Sequence, residues 1–405
     1  MRLALIIDDY LPHSTRVGAK MFHELACYYV GLGYQVTVIT PSETQEQQLT
    51  KTQLDGVNVW YFSSGVIKDT TKAKRAINET MLSFRAWRAI SDEIQPETFD
   101  GIIYYSPSIF WGKLVEMIKL RCQCKAYLVL RDLFPQWAID AGMINQGSVI
   151  EKYFRFFEGQ SYRQADKIGL MSEKNRQVFN AATNNQYQSE ILRNWAELKP
   201  HILTNVDESI RRKLNLEDKI IYFYGGNIGH AQDMSNLMRL ARSMTDYEEA
   251  HFLFVGQGDE VNLINQLAEE WSLSNFTYLP SVNQHEFKNL LADIDVGLFS
   301  LSVKHTAHNF PGKLLGYMVQ SIPILGSVNQ GNDLLDVIND NQAGFISVNG
   351  EDEMLYQNAL SLYHDELLRK DVGKNAFTLL ESEFSVQSAA QAIIDNLKEK
   401  DESIQ

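Results

Sequence analysis

The sequence has few cysteines, no long hydrophobic run and no excess of basic residues. Its three cysteines, Cys27, Cys122 and Cys124, form an odd set without metal-ligand spacing, which disfavours a disulfide framework and favours a reducing compartment. No apolar run approaches the roughly 20 residues that a membrane span requires, and the apolar start is too short for a signal peptide. We therefore expect a cytoplasmic chain whose contact with any membrane is peripheral.

The formal net charge is −14, which argues against a nucleic-acid partner because phosphate binding needs clustered Lys and Arg. Residues 1–200 carry 23 basic and 21 acidic residues, whereas residues 201–405 carry 14 and 30. The acidity therefore belongs to the second half of the chain.

Short apolar runs alternate with longer segments of helical spacing in both halves, which predicts parallel sheets with crossover helices. The strands predicted in the first half are Leu3 to Ile7, Gln35 to Ile39, Val57 to Phe62, Gly101 to Tyr105, Ala126 to Leu130 and Lys167 to Met171. Those predicted in the second half are Lys219 to Tyr224, His251 to Val255, Phe276 to Leu279, Val296 to Leu301, Ile322 to Leu325 and Ala343 to Val348.

A polar and charged segment from Asn194 to Asp218 interrupts this pattern. At 405 residues the chain is long enough for two hydrophobic cores. We predict domains at 1–198 and 199–385, and a C-terminal helix in 386–405 that packs back toward the first domain and frays at its end. The predicted fold class is α/β, with two Rossmann-like domains facing a central cleft.

Two glycine-rich turns follow predicted strands of the second half, at the sheet edge where α/β proteins bind ligands. The first contains Gly226, Asn227 and Gly229, and the second contains Gly256 and Gly258. Two such turns on neighbouring strands favour a nucleotide site. Tight turns without a ligand are the alternative, since glycine is common wherever positive φ is needed.

The stretch from Ser300 to Pro323 is the richest in candidate ligand-binding groups. Pro311 suits the first position of a helix, so the N–H groups of Gly312 and Lys313 and the Lys313 side chain would converge on an anion. A lysine lying along a surface helix is the alternative. His305 and His308 lack a third ligand at plausible spacing, so they indicate hydroxyl partners for a sugar rather than a zinc site.

Polar residues also follow strands of the first half. Asp132 could orient a substrate hydroxyl, and the preceding Arg131 could hold a phosphate or form a structural ion pair with it. Asp9, beside Asp8, follows the first strand and could be a base or a turn residue. Gly18 lies at the start of the first predicted helix. A glycine there is explained either by a phosphate that approaches the backbone closely or by close packing of the helix.

Residues 68–88 combine basic side chains with apolar residues at helical spacing, namely Ile77, Met81, Phe84 and Trp87. This pattern is typical of a membrane-surface helix, although packing of the apolar stripe in the core is the competing interpretation. The aromatic segment 153–157 likewise surrounds its helix with rings, so one face could contact lipid or a partner.

Together these motifs resemble the GT-B glycosyltransferases of family 4, and among them bacterial O-antigen and capsule enzymes that transfer N-acetyl-L-fucosamine. The resemblance covers nearly the whole chain. It depends on residues 7–12 with 17–20, residues 130–135, Glu158 through Asp166, the two glycine turns, and Pro311-Gly312-Lys313 leading to Tyr317-Met318 and Pro323.

The resemblance implies a retaining transfer from a UDP-sugar, such as UDP-N-acetyl-L-fucosamine, to a polyprenyl-diphosphate-linked saccharide, with no metal or other cofactor. It implies a location at the inner face of the plasma membrane. The catalytic candidates are Lys313, Asp132 and His308. The donor-binding candidates are Gly226, Asn227, Gly229, Gly256, Gly258, His305, Asn309, Gly312 and Lys313, and those on the acceptor or phosphate side are Asp9, Gly18 and Arg131.

The sequence departs from the family pattern at three places. His308 and Gly316 stand where many members carry two glutamates for the sugar and the ribose, and His230-Ala231-Gln232-Asp233 replaces the usual Arg and Lys. Two alternatives therefore stay open: a UDP-sugar epimerase of the same fold, and a catalytically degenerate scaffold subunit.

Overall fold

The computed structural model describes residues 1–14, 16–43, 45, 47–66, 71–140, 142–303 and 310–398. The chain divides into two compact units, residues 1–194 with the residues from 386 onward, and residues 195–385. The boundary lies earlier than residue 198 because the N–H of Ala196 donates to the Phe384 carbonyl at 2.9 Å. Ala196 and Leu198 also pack against the core of the second unit.

The first unit contains an eight-stranded sheet in the order β3-β4-β2-β1-β5-β6-β7-β8. Neighbouring strands are parallel except β3 and β4, which form an antiparallel hairpin. The strands are β1 Arg2–Ile6, β2 Gln35–Ser42, β3 Leu49–Leu54, β4 Val57–Ser63, β5 Gly101–Tyr105, β6 Lys125–Leu130, β7 Lys167–Leu170 and β8 Ser189–Ile191.

Crossover helices connect these strands, as parallel pairing requires. They are α1 Val17–Gly31, α2 Lys72–Thr80, α3 Leu82–Ile90, α4 Gly112–Cys122, α5 Gln136–Asp140, α6 Val149–Gln164 and α7 Glu173–Ala182. A core of fully buried side chains, including Trp111 and Tyr104, packs α3 and α4 onto the sheet. The carboxyl ends of β1, β5 and β6 thereby reach one edge of the sheet.

The last helix, α16 Val386–Lys398, packs in the first unit against α1 and β6. Tyr29 Oη donates to the Ala390 carbonyl at 3.0 Å, and Asn396 Nδ2 donates to both carboxylate oxygens of Glu190. These contacts explain why residues distant in sequence share one compact unit.

The second unit contains a fully parallel six-stranded sheet in the order β11-β10-β9-β12-β13-β14. Its strands are β9 Ile220–Asn227, β10 Ala250–Gln257, β11 Phe276–Pro280, β12 Val296–Ser300, β13 Ile324–Val328 and β14 Gly344–Val348. Its helices are α8 Ile210–Leu214, α9 Met234–Ser243, α10 Val261–Glu270, α11 Gln284–Leu291, α12 Lys313–Val319, α13 Leu334–Asp340, α14 Asp352–His364 and α15 Glu366–Glu383.

The structure corrects three local predictions. The helix after Pro311 begins at Lys313, so proline is not its first residue. Strands β3 and β8 were not predicted from the sequence. Core packing holds for only part of the predicted apolar stripe: Ile77 on α2 and Phe84 on α3 are 62% and 56% exposed, whereas Trp87 on α3 packs against the core. In the described part of the chain, no helix has both the length and the hydrophobicity needed to cross a membrane.

Helices α4 and α6 approach closely at Gly112, which suggests a test of the packing. A Cβ at residue 112 would lie 2.7 Å from main-chain atoms of Gln160 and Ser161. We expect Gly112→Ala to lower the free energy of unfolding by about 1–3 kcal/mol, because the backbone of α6 must move. Urea denaturation measures this change.

Gly31→Ala is the matched control, since a Cβ there meets no atom within 4 Å. It should leave stability unchanged or raise it slightly, because alanine favours a helix more than glycine does. Equal stabilities of the two variants would contradict the packing described for α4 and α6.

Candidate functional site

The carboxyl ends of β9 and β10 meet at an unusually close main-chain contact in the second unit. Gly226 pairs with Gly256, and a Cβ on residue 256 would lie 1.8 Å from the Gly226 carbonyl oxygen. Gly226 itself has φ of +120°, a conformation that favours glycine. Each strand therefore has a glycine next to its last residue, and Gly226 and Asn227 are exposed at this edge.

Lys313, the first residue of α12, points its ammonium group at this turn. Its Nζ lies over the Tyr224 ring, 3.7 Å from the centroid, and a Cβ on Gly226 would lie 3.7 Å from it. The Nζ atom is screened from solvent and has no hydrogen-bond acceptor among the residues that the structure describes. A buried ammonium without an acceptor is costly, so its place beside an exposed glycine turn favours an anion-binding role.

Burial lowers the pKa of Lys313 to about 7. The cause is desolvation, which disfavours the charged form, and the Tyr224 ring compensates only in part. The side chain is therefore poised between its two protonation states at neutral pH. An anionic ligand would favour the ammonium.

The other residues of the glycine turns shape the backbone. Asn227 Nδ2 donates to Gln232 Oε1 at 2.8 Å, and a Cβ on Gly258 would lie 2.1 Å from the Ile228 carbonyl oxygen. Gly312 faces open space, with no atom within 4 Å of a Cβ position. The remaining candidates, His305, His308 and Asn309, lie outside the described residues.

An ion pair beside the first turn could not be predicted from the sequence. His230 Nδ1 lies 2.8 Å from Glu260 Oε1, and the other oxygen of this buried carboxylate accepts from the Met234 N–H at 3.1 Å. The hydrogen bond that His230 donates to Glu260, and then the charge of Asp259, raise the pKa of His230. A protonated His230 supplies positive charge where the family pattern has Arg and Lys.

The first unit contains a cavity of about 720 Å³. Its lining combines charged groups from strand ends with a larger apolar and aromatic set. The charged residues are Asp8, Asp9, Arg16, Glu43, Arg75, Glu79 and Asp132, and the apolar ones include Leu82, Ile109, Phe110, Phe134, Trp137, Met143, Ile144 and Phe154. Such a lining suits an amphiphilic ligand.

Three of the carboxylates at this cavity follow strands, as the sequence predicts. Asp8 and Asp9 follow β1, and Asp132 follows β6. Asp9 Oδ2 lies 3.4 Å from Arg16 Nε. Asp132 is reached by solvent yet surrounded by protein, and desolvation raises its pKa while Arg131 opposes the shift. A carboxylate of raised pKa in a cavity is suited to proton exchange with a hydroxyl.

Arg131 does not face the cavity, contrary to the predicted phosphate contact. Its buried guanidinium donates to the main-chain carbonyls of Leu130, Gly169 and Arg193 at 3.1–3.3 Å. Burial lowers its pKa to about 10. Arg131 therefore connects the carboxyl ends of neighbouring strands. Its position after a predicted strand does not by itself indicate this role.

Gly18 lies against the ring of Tyr105. A Cβ at residue 18 would be 2.9 Å from both Cε1 and Oη of that tyrosine. Helix packing thus accounts for the glycine, and a phosphate contact there stays a prediction.

An apolar surface lies on α5, α6 and the segment between them, next to residues that line the cavity. Its exposed members are Trp137, Met143, Val149, Ile150, Tyr153 and Phe156, and Val149 is 82% exposed. Basic residues Lys152 and Arg155 lie on the same helix. Large apolar patches on proteins mark contact surfaces.

Comparisons with known proteins agree with this architecture. Sucrose-phosphate synthase from Thermosynechococcus elongatus matches with a TM-score of 0.68 at 14% identity over 97% of both chains. The structure of Anabaena Alr3699/HepE in complex with UDP and glucose matches with a TM-score of 0.66 at 13% identity, covering 98% of this chain and 99% of that one. The fold is thus the two-domain α/β fold of GT-B glycosyltransferases.

Residues 206–379, which lie in the second unit, match the family described as glycosyl transferases group 1. The probable glycosyltransferase WbjE of Pseudomonas aeruginosa is 23% identical over 222 residues, which cover 55% of each protein. The putative colanic acid biosynthesis glycosyl transferase WcaI of Escherichia coli K12 is 22% identical over 306 residues, 69% of this chain and 72% of WcaI. The match to WbjE thus spans about half of that protein.

The burial of Lys313 predicts a stability cost. Because its pKa is about 7 in the folded protein and about 10.4 when unfolded, folding releases a proton between these values. Burial of the charged lysine therefore lowers the free energy of unfolding by its full amount below pH 7, and by less as the pH rises. We expect Lys313→Met to be more stable than wild type at pH 6.5, with the advantage falling by at most about 1.4 kcal/mol per pH unit toward pH 9.

Urea denaturation at both pH values measures the difference, and Lys374→Met, at an exposed lysine of the same unit, should match wild type throughout. A Lys313→Met difference that is the same at both pH values would show that the lysine is not desolvated.

Proposed function

We propose that the chain is a retaining glycosyltransferase that takes a sugar from a UDP-sugar to a lipid-linked saccharide in surface polysaccharide synthesis. The observation that carries this proposal is Lys313, whose buried Nζ faces the exposed Gly226 turn and has no acceptor in the part of the chain that the structure describes. The diphosphate of a nucleotide sugar supplies the missing acceptor. The match to the group 1 family and the UDP complex of the HepE structure support a nucleotide-sugar donor.

In the proposed reaction the bond between the sugar anomeric carbon and the diphosphate oxygen breaks. A bond from that carbon to the acceptor hydroxyl oxygen forms on the same face, and the hydroxyl proton passes to the departing diphosphate. Lys313 and the turn N–H groups stabilise the developing negative charge, which is the largest contribution a protein makes to such a step. The reaction needs no metal and no protein nucleophile.

The cavity of the first unit supports an amphiphilic acceptor. Its aspartates can accept hydrogen bonds from sugar hydroxyls, Arg16 and Arg75 can pair with phosphate, and its aromatic lining suits a polyprenyl chain. The curated relatives WbjE and WcaI, the latter in colanic acid biosynthesis, favour a polysaccharide pathway. Within this class we propose UDP-N-acetyl-L-fucosamine as donor.

The apolar surface of α5 and α6 supports peripheral association with the inner face of the plasma membrane. Apolar side chains such as Ile150 and Phe156 would enter the lipid interface, and the exposed Lys152 would contact anionic headgroups. A lipid-linked acceptor would then reach the cavity from the membrane in which it resides.

Transfer assays test the donor site. Purified protein is incubated with a panel of UDP- and GDP-sugars and a lipid-linked monosaccharide, and products are identified by mass spectrometry. We expect a UDP-sugar to give a lipid-linked disaccharide, and Lys313→Met to weaken UDP binding by about one to three orders of magnitude, because a charge-assisted contact is lost. Lys374→Met should behave as wild type.

The pH dependence of UDP binding provides an independent readout by calorimetry. Affinity should fall as pH rises above 7, since the free protein then loses the Lys313 proton, and Lys313→Arg should abolish this slope because arginine stays charged. Unaltered UDP affinity in Lys313→Met would overturn the placement of the donor. An isomerised UDP-sugar formed without acceptor would instead identify an epimerase.

Vesicle sedimentation tests the membrane surface. We expect wild type to bind vesicles of phosphatidylglycerol and phosphatidylethanolamine. The double variant Ile150→Glu/Phe156→Glu should bind at least about tenfold more weakly, because it lacks two apolar side chains whose transfer from water into lipid favours binding. Leu367→Glu alters a residue of the second unit that is even more exposed, at 72% against 59% for both Ile150 and Phe156, and should bind normally. Equal binding of all three proteins would exclude this surface as the contact.

A further inference from the structure

One cluster in the first unit has metal-ligating chemistry that the proposed transfer does not use. His23 and Cys27 are four residues apart on α1, so they lie on one face of that helix. Asp55 reaches them from the turn of the β3–β4 hairpin, where it has φ of +49°. One ligand atom from each residue lies within 4.8 Å of the other two.

The distances match those within a zinc coordination sphere. Zn–S of about 2.3 Å and Zn–N or Zn–O of about 2.1 Å in a tetrahedron place nitrogen and sulfur about 3.6 Å apart, and nitrogen and oxygen about 3.4 Å apart. Here His23 Nε2 lies 3.5 Å from Cys27 Sγ and 3.0 Å from Asp55 Oδ2. The carboxylate of Asp55 lies within 4.8 Å of Cys27 Sγ, and its side chain is 68% exposed, so it has room to adjust toward a common ion.

The other nitrogen of His23 is held from outside the cluster. Its Nδ1 lies 2.9 Å from Tyr10 Oη, and Tyr10 is buried and lines the cavity described above. Histidine ligands of metals usually have such a partner on the second nitrogen, which fixes the ring orientation and the tautomer. With Nδ1–H donating to Tyr10, the Nε2 lone pair faces Cys27 and Asp55.

We propose that His23, Cys27 and Asp55 bind a zinc ion, with a water molecule as fourth ligand. Binding displaces the thiol proton of Cys27 to solvent, while His23 binds through the Nε2 lone pair and keeps its proton on Nδ1. The imidazole, thiolate and carboxylate set suits zinc better than magnesium or calcium, which prefer oxygen ligands alone.

The ion would join α1 to the β3–β4 hairpin. Through Tyr10 it would also order the residues that follow β1, including Asp8 and Asp9 at the cavity. The proposed reaction does not use the ion, whose role is structural. Without the metal, the hydrogen bond of 3.0 Å between His23 Nε2 and Asp55 Oδ2 joins the same two elements.

Metal titration of the full chain tests the proposal. Protein stripped with EDTA is titrated with Zn²⁺ against a chromogenic chelator, and with Co²⁺ while its absorption is recorded. We expect one zinc ion per chain, a thiolate-to-cobalt charge-transfer band, and a higher melting temperature with zinc. Cys27→Ser should lose the band, and His23→Ala and Asp55→Asn should each bind zinc at least about tenfold more weakly.

Cys124→Ser, which removes a thiol outside the cluster, should retain the band and full affinity. Tyr10→Phe keeps all three ligands but removes the partner of Nδ1, so it should weaken binding about 10–100-fold. Circular dichroism of the metal-free proteins verifies folding. Absence of a stoichiometric site in folded wild type, or equal zinc affinity in Cys27→Ser and wild type, would overturn the proposal without affecting the donor site.

Discussion

Parallel strand pairing is the constraint on which both units depend. A parallel neighbour can be reached only by a crossover, so every carboxyl strand end opens into a loop at the same edge of the sheet. This is why Asp8 and Asp132, more than 120 positions apart in the sequence, line one cavity, and why the Gly226 and Gly256 turns are adjacent. The sheets provide the rigid support, and chemistry is left to the residues just beyond them.

In the second unit, the ammonium group of Lys313 lies at this edge, where the protein interior does not stabilise its charge. Close approach of β9 and β10 requires glycine at 226 and 256, which leaves the backbone at the turn uncovered. The Lys313 side chain then lies over Tyr224 with its Nζ unpaired among the described residues. Water could have solvated this ammonium at a small displacement of the helix, so its burial is a cost in stability that a bound diphosphate would offset.

Much of this architecture follows from local sequence. All twelve predicted strands are present, because short apolar runs between glycine and polar turns reflect sheets buried on both faces. Strand β3 was missed although Asp55-Gly56 is a strong hairpin signal, since its own residues are polar and exposed. The role of Arg131 was mistaken because three carbonyl partners come from separate elements. Likewise, His23 and Cys27 have helical spacing in the sequence, but only the fold brings Asp55 to them.

The glutamate missing at Gly316 has a structural counterpart. A Cβ at this position would lie 3.0 Å from the Leu291 methyl group of α11, so even alanine would require that side chain to shift. Helix α12 therefore packs at a place where the family pattern has a ribose-binding carboxylate. A hydrogen bond to a charged group contributes roughly 1.5–3 kcal/mol, so under the proposed function the ribose would add less to nucleotide affinity. The proposed contact between Lys313 and the diphosphate would then carry a larger share of donor binding, and His230, whose pKa is raised by its hydrogen bond to Glu260, lies beside the same turn.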